Sequence, residues 1–183
     1  MKKLAAKGFH IVSLIAFLIG ASRTAKAQFT NSVFEQSGLY TAMAKDANNN
    51  LYVTRVQPST GGAYYEVEKY SNGSETPVVI YQNLTHEEGD YPWGLAVTST
   101  GNVFISTDFT SSAGAIIELT NSGGNYTAST YQTGRYFTAL AVDANDNLYD
   151  TEYAVSVVAY AVVKYPANSA PNTAGTTLYT GLK

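Results

Sequence analysis

The residues of this chain best suited to chemistry are side-chain oxygens at alternate positions. Asp46, Asn48 and Asn50 form one such run, and Asp143, Asn145 and Asn147 form a second. Calcium loops present their ligands in this way, but a loop of the EF-hand type also wants Gly at its sixth position and Glu at its twelfth. The sixth positions here are Leu51 and Leu148, apolar residues that open an apolar run. A third run of the same shape, Thr98, Thr100 and Asn102, has no acid. Short polar side chains also close tight turns by bonding to nearby backbone. A turn that caps a hairpin accounts for all three runs, so no metal is expected in them.

Other reactive types are scarce. There is no cysteine, which excludes thiol chemistry and disulfides, and of the two histidines only His86 lies outside the first 27 residues. A single histidine makes no multi-histidine zinc site and leaves one choice for any Ser/His/Asp mechanism. It stands in His86-Glu87-Glu88-Gly89-Asp90, a polar connection that reads as a solvated loop. No Gly-rich phosphate loop, nucleophile elbow or defined carboxylate pair is present. Aromatic residues, in contrast, abound: 15 Tyr, 7 Phe and one Trp. Tyr40, then Tyr91 and Trp93, then Tyr136 and Phe137 stand just ahead of three similar apolar stretches. Aromatic rings combine broad apolar faces with polar tips, which suits them to stack on sugars, grip peptides or pack internally. Tyr40, Trp93 and Tyr136 are the candidate ligand contacts.

An internal repeat places these residues. Met43 to Thr54, Leu95 to Ser106 and Leu140 to Thr151 align without gaps. Ala44, Ala96 and Ala141 share a column, as do Asn50, Asn102 and Asn147, then Leu51, Val103 and Leu148, then Tyr52, Phe104 and Tyr149. Each block predicts a hairpin, two apolar runs around a turn of Asn, Asp and Gly. A third run follows at Tyr64–Tyr70, Ala115–Leu119 and Tyr160–Tyr165, alternating as half-buried strands do. The fourth is Val78–Tyr81, Ala128–Tyr131 and Thr176–Tyr179, so that Tyr81, Tyr131 and Tyr179 recur at intervals of 50 and 48 residues.

Four antiparallel strands at this period predict an all-β fold of β-propeller blades. The blades would cover 39–84, 85–134 and 135–183, and Val33–Gly38, within 28–38, reads as the outer strand of another blade. Closed propellers have about 4 to 8 blades. With three readable, the expectation is an incomplete ring: a piece of a longer protein, or a chain that closes its ring by self-association.

The hairpin blocks resemble the NHL repeat, whose pattern runs Pro-x-Gly-Leu/Ile-Ala-Val-Asp, then an Asp/Asn-Gly-Asn turn, then Leu/Ile-Tyr-Val-Ala-Asp. The middle repeat offers Pro92-Trp93-Gly94-Leu95-Ala96-Val97 and Gly101-Asn102-Val103-Phe104-Ile105, and the third Leu140-Ala141-Val142-Asp143 and Asn147-Leu148-Tyr149. Arg55, Thr107 and Glu152 stand where that family often has an aspartate after the second strand, so its role does not carry over. Glu88-Gly89 ahead of Pro92-Trp93 is similar to the Glu-Gly-Pro of gluconolactonase-like six-bladed propellers, with Asp90 in place of the proline. That second resemblance implies a divalent metal in the channel, with Glu88 as a ligand.

Residues 1–27 read as a secretory signal peptide: Lys2, Lys3 and Lys7, an apolar run from Ile11 to Ala21, then Ala25-Lys26-Ala27 ahead of Gln28. The apolar run is too short to span a bilayer, which takes roughly 20 residues, so no membrane anchor is expected after cleavage, and without cysteine there is no lipid attachment. Export to the periplasm, cell surface or medium follows. The segment carries five of the 11 basic residues and none of the 14 acidic ones, which leaves an acidic remainder that repels nucleic acid. The expected function is a non-enzymatic exported module binding a protein, peptide or carbohydrate ligand, without a cofactor. A metal-dependent gluconolactonase-like hydrolase is the alternative, and a structural cell-surface repeat protein is the second alternative.

Overall fold

The computed structural model describes residues 39–59, 62–84, 91–108, 114–154 and 159–182. The predicted signal segment 1–27, the strand expected in 28–38, and the loop holding His86 and Glu88 lie outside the described residues. No helix occurs among the described residues, and so none is long and apolar enough to cross a membrane. The fold is all-β.

The first sheet has four strands, β1 (Leu39–Lys45), β2 (Leu51–Ser59), β3 (Gly62–Tyr70) and β4 (Val78–Asn83), paired in sequence order. The second has seven: β5 (Tyr91–Val97), β6 (Val103–Asp108), β7 (Gly114–Ser122), β8 (Asn125–Val142), β9 (Leu148–Ala154), β10 (Ala159–Tyr165) and β11 (Thr176–Leu182). Every pairing is antiparallel between strands adjacent in sequence. The sequence separates a strand at Ala128–Tyr131 from the hairpin that includes Leu140, but β8 runs through both. Its first part pairs with β7 as far as Arg135, and from Tyr136 onward it pairs with β9. Gly134, at φ 86°, takes a backbone conformation closed to most residues, and shifts in the β7 register absorb the kink without ending the strand.

Successive side chains of a strand point to opposite faces, and here both faces of the middle strands are buried. Leu95, Val103, Ile105 and Leu119 pack with Tyr52, Val56, Tyr65 and Val67 of the first sheet. Their neighbours Ala96, Phe104 and Ile116, with Tyr131, pack the other way, against Phe137, Leu148, Val163 and Tyr165. Tyr131 sits edge-on to both Phe104 and Tyr165, at centroid distances of 5.1 and 5.8 Å. Three four-stranded layers therefore stack face to face: β1–β4; β5–β7 with the first part of β8; and the second part of β8 with β9–β11.

One turn device recurs in each layer. Asp46 Oδ1 accepts from Asn48 N and Asn50 N, and Oδ2 from Asn50 Nδ2 and the Tyr52 hydroxyl. Asp143 does the same with Asn145, Asn147 and Tyr149. In the middle layer Thr98 Oγ1 accepts from Asn102 N. Asn49, Gly101 and Asp146 take positive φ at the matching position. The amide oxygens of Asn50, Asn102 and Asn147 accept from Asn72 N, Asn121 N and Ala167 N, fastening each hairpin turn to the next turn of its layer. These carboxylates are engaged by N–H and O–H donors, the arrangement a hairpin cap requires.

Candidate functional site

The aromatic candidates lie at the starts of β1, β5 and the second part of β8, where each first strand carries a register shift. The shifts fall between Tyr40 and Ala42, Pro92 and Gly94, and Phe137 and Ala139. Thr41, Trp93 and Thr138 are therefore the passed-over residues. A bulge re-aims the side chain it carries. Thr41 Oγ1 turns to Thr54 Oγ1 at 2.8 Å, and Thr138 Oγ1 to Thr151 Oγ1 at 2.7 Å. The middle layer has Trp93 instead, which cannot repeat that bond to Ser106, and its ring stands 55% exposed beside exposed Tyr91.

Tyr40, Trp93 and Tyr136 thus occupy three different positions of the repeat. Tyr40 lies opposite Arg55 in the ladder, at a buried ionic network in which Arg55 pairs with Glu66 at 2.8 Å and Glu68 at 3.1 Å. Gln57 and Gln82 donate to Glu66, and the Tyr70 hydroxyl donates to Glu68. Burial opposes the charge on Arg55, but the Tyr40 hydroxyl and the two carboxylates outweigh it and raise its pKa. Burial raises Glu68 despite Tyr70 and Arg55. Tyr136 begins a row of rings across three strands, 6.5 Å from Tyr153, which is 5.0 Å from Tyr160.

No protein-family model and no curated protein matches the chain. What it does must be read from its own side chains.

At the opposite end of β5 from Trp93, a cavity of about 120 Å³ opens between the second and third layers, lined among others by Thr98, Asn102, Glu118, Tyr131 and Asp146. Burial raises the Glu118 pKa, and the bond from Asn102 Nδ2 offsets this only in part. Asp146 is already bonded to Ser99 through both oxygens. Among the described residues no three or more His, Cys, Asp or Glu side chains gather to hold a metal, and Glu88 lies outside them.

Sequence reasoning passed over a second acidic pair. Asp150 and Glu152 of β9 are buried between the second and third layers, and Arg135 Nη1 bonds Glu152 Oε1. Burial and the charge of Glu152 push the Asp150 pKa up to about 7, against the pull of Tyr165 and Arg135. The signal was present in the repeat columns, since Asp150 aligns with Val53 and Ile105.

Proposed function

We propose that the three layers are blades of an NHL-like β-propeller, exported by the segment 1–27, that acts as a non-enzymatic ligand- or protein-binding module with Trp93 at its binding end. The observation that carries this reading is the exposure of the only tryptophan in the chain on a strand whose Leu95 and Ala96 belong to two different cores. A large ring at a bulge on a rigid sheet keeps its orientation without further ordering, which lowers the cost of binding. The blade reading is supported by the sequence-order meander of each layer and by the burial of both faces of the middle one.

The test is a fluorescence titration of Trp93 with neutral oligosaccharides and short peptides. The expected outcome is a saturable change in emission with at least one probe. Trp93→Ala should weaken binding of that probe by tenfold or more, about 1.4 kcal/mol, while melting within a few degrees of the parent, since the ring is more than half exposed. If no probe binds and the protein instead hydrolyses a lactone with a divalent metal, losing that activity in Glu88→Ala, the hydrolase reading replaces this one. Failure of both would leave the structural role.

A further inference from the structure

Buried polar groups are satisfied with few exceptions, and each exception asks for a cause. Here Ser106 Oγ and Glu152 Oε2 are buried without a hydrogen bond, and the Asp150 carboxylate, equally buried, has no well-formed one, with the Tyr165 hydroxyl nearby. They are all oxygens; Ser106 lies on the face of β6 that carries Phe104, and Asp150 and Glu152 on the face of β9 that carries Leu148, the two faces that pack together. Ser106 projects from the second layer: a Cβ built on Gly94 would lie 2.7 Å from Ser106 Oγ and 2.8 Å from Leu140 N. The hydroxyl is thereby aimed at β8 beside Leu140, whose ladder partner is Asp150. Glu152 follows two residues later on the same face of β9. Relative exposures are 0% for Ser106, 1% for Asp150 and 3% for Glu152.

Nothing in the fold requires acid at this place. The positions that match Asp150 in the other layers hold buried Val53 and Ile105, so an apolar side chain satisfies the packing there; those that match Glu152 hold Arg55 and Thr107, polar but not acidic. Arg135 engages Glu152 Oε1 from the side, which leaves Oε2 inward. Two carboxylates against one guanidinium leave one negative charge among buried groups. Such a charge persists in a protein interior only with a compensating partner. Since the unpaired groups are carboxylate and hydroxyl oxygens, that partner is a cation or a proton.

We propose that Asp150, Glu152 and Ser106 form a binding site for a hard cation of the calcium class between the second and third layers. Hard cations take oxygen ligands, carboxylates in one- or two-oxygen mode together with hydroxyl and backbone oxygens, and among the described residues no cysteine or histidine is present to favour a softer metal. The site would add a pin between two layers already joined by apolar contacts and by the bonds of Ser99 to Asp146 and of Gln132 to the Thr173 carbonyl. It does not depend on the binding role of Trp93.

The test uses the whole chain stripped of metal with EDTA and held at pH 8.5, where a proton on Asp150 is disfavoured. Ca²⁺ is added while the melting temperature is followed, and Tb³⁺ luminescence is read with Tyr165, close to Asp150, as the antenna. The expected result is a saturable rise in melting temperature and Tb³⁺ emission that Ca²⁺ displaces. Asp150→Asn should weaken Ca²⁺ binding by about tenfold or more. Ser106→Ala, which keeps every charge and guards against a folding defect in the first variant, should weaken it by a smaller factor. The proposal is overturned if Ca²⁺ and Tb³⁺ have no effect on the parent, which would leave a proton as the partner. It is also overturned if both variants respond as the parent does, which would put the cation elsewhere.

Discussion

Asn50, Asn102 and Asn147 each join turns that lie 19 to 22 residues apart in the chain. The column is plain in the sequence, but its task is not, because the partner is a backbone N–H that no residue type announces. Their acidic companions carry a pH signature. Hydrogen bonds from Asn147, outweighing a small burial effect, and from Tyr149 and Asn145 hold the Asp143 carboxyl down at about 2. A carboxyl whose pKa is depressed on folding adds stability above its unfolded pKa of about 4 and loses it as the pH falls through the folded value. Stability should therefore drop between pH about 4 and about 2, and Asp143→Ala should flatten that limb in urea unfolding measured across the range. An unchanged slope would mean that these bonds do not favour the charged form. Asp150 shows the opposite limit of legibility: its departure from the Val53 and Ile105 column is visible, but only the stacked layers reveal that it is buried.

At the scale of the strand, the hairpins were legible because alternation and turn residues are local signals. The continuity of β8 was not, since Thr133-Gly134-Arg135 has the composition of a turn and only long-range pairing with β7 and β9 keeps it extended. The bulges were hidden as well, and they set Trp93 apart, the passed-over residue of its strand, from Tyr40 and Tyr136, which stay paired in the ladder. Gly94 belongs to this scale. A methyl group there would meet Leu140 N at 2.8 Å and Ala139 C at 3.2 Å, backbone atoms that cannot swing aside. Gly94→Ala should destabilise by about 1–3 kcal/mol through overpacking, read as a lower urea midpoint with unchanged slope. A neutral substitution would show that the second and third layers are free to separate by the few tenths of an ångström required.

For the molecule as a whole, the layer-on-layer rule leaves the outer face of the third layer without a counterpart among the described residues. The face of the third layer that bears Tyr149, Val162 and Lys164 matches the faces of Tyr52 and Phe104, which are buried by the next layer. Lys164 lies over the Tyr149 ring as Lys69 lies over Tyr52, at 5.4 and 5.3 Å. Here Tyr160 and Tyr179 remain 43% and 65% exposed. Contiguous exposed aromatic surface of this kind drives association. Light scattering should find a mass that grows with concentration, and Tyr160→Lys with Tyr179→Lys should return it to that of a single chain. A parent that stays monomeric at high concentration would mean this face needs no cover.

The long strand β8 has a consequence of another kind. Main-chain hydrogen bonds pass without interruption from β5 to β11, whereas β1–β4 meet that sheet through side chains. The repeating unit is one layer long, but the unit joined by main-chain bonds spans two and should open as one cooperative body. Amide exchange should accordingly divide the chain near residue 90, and not at the seam between the second and third repeats.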